Sequence, residues 1–371
     1  MKKVIVSLLY LFILLQIVNV ISHKIIFDRT SYELLFNIPV FGRGALLPFL
    51  NFDGKNYLTI AKYGYEANRQ LTVFFPLYPL LVRILSFNLF FNPILVGLLI
   101  SAVSTLAAVI VLYKLIQIEY SEKIATRSIA LLLLFPTSFY LFAYYTEGIF
   151  LLFSVFAFWF IKKKNLLLAS IAVFFATATR LVGITLIPVL IFEAYKIYKK
   201  KGEITWSVLI SPLGFVSYAI FNYLKFGNPF LMITAQTSSR FGRTIDIFSP
   251  FHIFRDAVIK IISGPLPSYD SLFVYPVIIL EFLYAVFIIM ALYFSFKRLP
   301  RGYFLYMLFS VVLIFYSSAL ISIGRFILVI FPTYVLLALT LPRKIFVVWS
   351  VISFLILIFS SSLFLRNYWI S

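Results

Sequence analysis

A chain of 371 residues could fold as two or three water-soluble domains, but 63% hydrophobic residues, 12% charged residues and a mean hydropathy of +1.04 exclude that. They leave a polytopic membrane protein. The net charge of +19 falls in short clusters between apolar runs, which argues for topology signals and contacts to anionic membrane lipids and against a nucleic-acid partner.

Continuous apolar runs of about 20 residues predict an all-α bundle rather than a barrel. In chain order the expected spans are 4–22, 92–113, 128–145, 147–161, 165–180, 182–198, 204–224, 272–296, 303–321, 326–341 and 345–365. That is about 11 transmembrane helices. Met1-Lys2-Lys3 opens the first run without a small-residue cleavage site, so an uncleaved first helix is expected. The short loops holding Lys114 to Arg127, Lys162 to Lys164, Lys196 to Lys201, Lys297 to Arg301 and Arg343-Lys344 share one side with Lys2 and Lys3. This bias predicts a cytoplasmic N-terminus in a multi-pass plasma-membrane protein. Two long loops, 23–91 and 225–271, then lie on the extracytoplasmic face, and interfacial helices are expected in the first. The expected organisation is a single multispan domain over 1–371, with no internal repeat.

The first long loop carries a polar, aromatic stretch, Asn51-Phe52-Asp53-Gly54-Lys55-Asn56-Tyr57 through Tyr65, followed by Phe74-Phe75-Pro76-Leu77-Tyr78-Pro79-Leu80. Ionisable side chains at span ends cost enough to need a reason, about 2.5–3.5 kcal/mol at a helix centre. Four of them, Asp53, Glu147, Arg180 and Arg325, converge on the outer boundary. Asp53 in a partly dry pocket suits a general base toward an acceptor hydroxyl, or else a solvated loop aspartate. Glu147 either opens a helix, where the dipole favours an acid, or holds a sugar. Arg180 and Arg325 present forks suited to phosphate, with interfacial snorkelling as the competing account. Lys62, Arg69, Arg83, Arg240 and Arg243 are weaker cationic candidates.

With no cysteine and only His23 and His252, disulfides, thiolate chemistry and a histidine-rich metal site are not expected. There is no Asp-x-Asp pair, no glycine-rich phosphate loop and no long cytoplasmic loop to hold a nucleotide, so a donor would arrive through the membrane as a lipid phosphate.

Asp53 to Tyr65, Phe74 to Leu80, Pro136 with Tyr145-Thr146-Glu147, Ala178-Thr179-Arg180 with Gly183, and Gly324-Arg325-Phe326 before Phe331-Pro332 together resemble the PIG-V family of GPI mannosyltransferases and its prokaryotic relatives, which belong to the GT-C class. The resemblance runs in order from about residue 48 to about residue 340. It implies a GT-C fold and an inverting transferase that moves a hexose, usually mannose, from dolichyl or polyprenyl phosphate to a hydroxyl of a glycolipid or glycan acceptor. By motif position Asp53 is the implied base, and Tyr57, Lys62, Tyr78, Arg83, Glu147, Arg180 and Arg325 form the expected substrate-binding set. Family members commonly place Arg-Trp or Trp-Trp before the aspartate, whereas this chain has Asn51-Phe52. No cofactor is expected, and an accessory membrane subunit stays open. The competing classes are a transporter or flippase for a lipid-linked sugar and a non-catalytic scaffold.

Overall fold

The computed structural model describes residues 2–26, 46–237, 249–264, 271–316 and 320–370, and shows helices and turns with no strand among them. Among the described residues six helices are long and apolar enough to cross a membrane, seven if the bent pair Ile323–Val329 and Pro332–Thr340 is one span. The first is α1 (Lys2–Ile25), followed in the first long loop by two interfacial-length helices, α2 (Asp53–Tyr63) and α3 (Leu77–Leu85). Three 3-10 turns, at Leu47–Leu50, Tyr65–Ala67 and Arg69–Val73, flank and join α2 and α3.

The chain then enters α4 (Pro93–Glu119), where Asn92 caps the Ile94 and Leu95 amides and Pro93 occupies the first turn, whose amide needs no partner. Next come α5 (Glu122–Leu133), α6 (Glu147–Lys162), α7 (Leu166–Thr179), α8 (Ile187–Lys201) and α9 (Leu213–Phe226). The second half holds α10 (Ser249–Ser263), α11 (Ser271–Arg298), α12 (Arg301–Tyr316), α13 (Ile323–Val329), α14 (Pro332–Thr340) and α15 (Arg343–Leu365).

Four expected spans are not continuous α-helices. The run at 128–145 is helical only to Leu133, and residues 134–146 form an irregular, largely buried segment around a 3-10 turn at Ser138–Leu141. Pro136 cannot donate to the helical ladder, and neighbouring side chains answer the freed backbone instead. Thr105 donates to Leu141 O at 2.8 Å, Ser101 to Tyr145 O at 3.1 Å, and the Tyr144 amide to Phe49 O at 3.0 Å. Irregular backbone at membrane depth is tolerated where protein buries and satisfies it. The run at 326–341 breaks into α13 and α14, bent by 79°, with Pro332 opening the second half. The runs at 182–198 and 204–224 open with 3-10 turns, at Leu181–Leu186 and Trp206–Ile210, that lead directly into α8 and α9, and each is long enough to span.

Two opposite ends of the bundle can be identified. At one, Lys162 pairs with Glu119 at 3.6 Å and Tyr303 donates to the same carboxylate at 2.5 Å. Glu147 begins α6 fifteen residues earlier, about 22 Å away along the helix axis. At the Glu147 end, Arg366 at the close of α15 meets His23 Nδ1 at 2.8 Å and Asn19 O at 3.2 Å, so α1 and α15 finish together.

Candidate functional site

The local backbone delivers Asp53 under strain. Phe52, the residue before α2, has φ 56° and ψ −114°, a conformation that L residues rarely adopt. Its neighbours hold it there. Buried Asn51 donates Nδ2 to Phe364 O at 2.9 Å, while Tyr145 Oη donates to Asn51 O at 2.7 Å and accepts the Asp53 amide at 3.1 Å. The Phe52 ring packs on Phe364 and meets Trp369 edge to face at 5.0 Å. The Asn51-Phe52 pair therefore serves as a brace.

A second strained residue launches the cation. Ser322, at φ 72°, precedes α13, and Arg325 follows one turn later. Glu281 of α11, buried, takes a backbone hydrogen bond from Ser322. Arg325 is buried and forked between two acids: Nη1 donates to Asp53 Oδ2 at 2.7 Å, while Nε and Nη2 lie 3.0 and 2.9 Å from Glu147 Oε1. Its guanidinium lies over the Tyr140 and Tyr145 rings at 4.8 and 4.7 Å, which replaces lost hydration with ring faces. Arg180 donates to the same Glu147 Oε1 and, at 3.2 Å, to Thr146 Oγ1. Arg180 reaches this point because α7 ends at Thr179 and Arg180 itself is extended.

Two carboxylates and two guanidinium groups thus form one neutral cluster, consistent with the rule that buried charges are paired. Two oxygens are left over. Glu147 is fully buried, yet its Oε2 has no partner among the described residues. Asp53 Oδ1 has none among them either, while the Asp53 side chain keeps 19% exposure. A cavity of about 390 Å³ opens beside the cluster, lined by Asp53, Tyr57, Arg180, Arg325, Phe326 and Trp369 among others.

The expected site residues divide accordingly. Asp53, Glu147, Arg180 and Arg325 are brought together, and Tyr57 joins them through its hydroxyl, 3.3 Å from Thr146 Oγ1. Burial pushes the Tyr57 phenol up to about 12, so it acts as a neutral hydrogen-bonding group. Tyr78 does not reach the cavity: its hydroxyl is spent on Gly97 O at 2.9 Å, and its ring props Tyr57 at 5.5 Å. Arg83 is exposed, donates to Asn88 Oδ1 at 2.9 Å and lines a separate cavity with Glu66 and Lys225. Lys62 lies nine residues along α2 from Asp53, about 14 Å, and is not among the residues lining the site cavity. Arg69 turns to the Phe226 ring at 5.7 Å. Arg240 and Arg243 lie outside the described residues.

Sequence reasoning missed Trp369, Ser322, Gln236 and Thr179 as cavity lining, and Glu281 as the support of Ser322. An acid inside an apolar run was the available signal for Glu281. No family model matches the chain, and no curated protein matches it.

Proposed function

We propose that the chain is an inverting glycosyltransferase of GT-C type, with 11 passes as read from the sequence. It would move a hexose, mannose in the first instance, from a polyprenyl or dolichyl phosphate to a glycolipid or glycan hydroxyl on the outer face of the membrane. The observation that carries this reading is one cavity lined at once by Asp53, Arg180 and Arg325. It supplies a base and two phosphate-seeking forks at the end of an apolar bundle. The motif resemblance supplies the class of donor.

In this scheme the donor phosphate competes with Asp53 and Glu147 for the guanidinium groups. Arg325 turning to phosphate frees Asp53 Oδ2. Asp53 accepts the proton of the acceptor hydroxyl, whose oxygen bonds to the anomeric carbon as the carbon–phosphate oxygen bond breaks on the opposite face. The electron pair leaves with the polyprenyl phosphate, and Arg180 and Arg325 meet its charge. Glu147 Oε2, without a partner among the described residues, offers an acceptor for a sugar hydroxyl or for a bridging water.

Membranes containing the full chain, given radiolabelled polyprenyl-phosphate mannose and candidate glycolipid acceptors, test the proposal. Label should appear in a new glycosidic bond. Label that crosses the membrane still on its carrier would indicate a flippase, and label released only to water would remove the transferase reading.

A further inference from the structure

A second cavity, of about 580 Å³, lies at the end of the bundle remote from Asp53, between the last turns of α8 and the start of α12. Its walls follow one helix face. Phe192, Tyr195, Lys196, Lys199 and Lys200 recur at three- and four-residue spacing, so the face passes from aromatic rings to ammonium groups as α8 ends. Arg301, in the first turn of α12, closes the opposite side.

Glu193, on the same wall, is taken by Lys196 at 2.8 Å. Lys199, Lys200 and Arg301 have no carboxylate partner among the described residues. Lysines at the end of α8 could be explained by the helix dipole alone, which favours cations there. Arg301 is the opposite case, a cation at a helix start with no acid in its first turn. Like charges gathered around one hollow, one of them against a dipole, are stabilised by an anion. The rings beside them continue onto an exposed apolar surface at Ile191 and Tyr195.

We propose that this cavity binds the phosphodiester headgroup of an anionic membrane lipid, with an acyl chain along the aromatic part of the α8 face. An amphiphile with its charge at the bundle end and its chain toward the middle matches the order of side chains along the helix. A free phosphate would match only the cationic part.

Native mass spectrometry of the full chain, released from nanodiscs holding equal parts of phosphatidylglycerol and phosphatidylcholine, reads the preference directly. The chain should retain phosphatidylglycerol selectively. The triple variant Lys199→Gln/Lys200→Gln/Arg301→Gln should lose that preference by roughly tenfold or more. A control of equal charge change, Lys164→Gln/Arg343→Gln/Lys344→Gln, should keep it. Equal loss in both variants, or no preference in the unaltered chain, would overturn the proposal, and displacement by excess inorganic phosphate would reassign the cavity to a free anion. If circular dichroism shows the triple variant unfolded, the single changes Lys200→Gln and Arg301→Gln carry the test. Each should then lower retention by roughly threefold.

Discussion

Arg325 holds two acids at once, and that makes it the residue whose loss the site tolerates least. Replacing it with Met leaves Asp53 and Glu147 facing one another with only Arg180 nearby, and breaking a buried pair by removing one partner costs about 3–5 kcal/mol. Thermal unfolding in detergent should show that loss, and Arg325→Lys should recover only part of it, because an ammonium cannot span both carboxylates. Asp53 belongs to a different class. Asp53→Asn keeps its shape and an acceptor oxygen for Arg325 but leaves the cluster with one positive charge in excess, so stability should fall less than in Arg325→Met while transfer falls by about 10²–10⁴-fold. Initial rates at saturating donor measure this, and unchanged turnover would remove Asp53 from the chemistry. These four charges were legible in the sequence because charged groups at the ends of apolar runs are expensive. Tyr78, Arg83 and Lys62 were misplaced because a motif gives proximity along the chain and not direction. Tyr78 points away from the cavity to a backbone carbonyl of α4.

At the scale of elements, the site depends on segments that are not regular helix. Residues 134–146 press Tyr144 against α4 at Gly97, where an added Cβ would lie 2.1 Å from the ring. Gly97→Ala should cost about 1–3 kcal/mol by overpacking and should shift Tyr145, which steadies Asp53. Thermal unfolding and transfer rate should fall together in that variant. The first loop is also tied to the end of α9 by Glu66 and Lys225. Lys225 holds the Glu66 carboxyl below its ordinary value. The pair's stabilising contribution is therefore complete above the ordinary carboxylate range and disappears as pH falls through the lowered pKa. The Tm difference between the unaltered chain and Lys225→Gln should close on acidification. Long apolar runs made α1, α4, α11 and α15 easy to foresee. Pro136 and Pro332 mark the breaks after Leu133 and at Ile330 in the sequence, but the partners that satisfy the freed backbone lie far away along the chain, such as Thr137, which donates to Gly324 O at 2.9 Å.

For the whole molecule, the cluster lies at the level of Ser101, eight residues into α4 and about 12 Å from its start, so the cavity floor is recessed within the bundle. Which end faces out is read from the basic loops. Because the chain has no cysteine, a single introduced thiol can test it. An impermeant maleimide should label Asn68→Cys on intact cells and Lys164→Cys only after permeabilisation, and the reverse pattern would place the site on the cytosolic side. Trp369 gives the recessed cavity a further property. One of four tryptophans, it stands 40% exposed on the cavity wall. Its intrinsic fluorescence is a native gauge of occupancy: with the other three indoles changed to phenylalanine, a sugar displacing water from the ring should move the emission maximum toward the blue, before any bond is made.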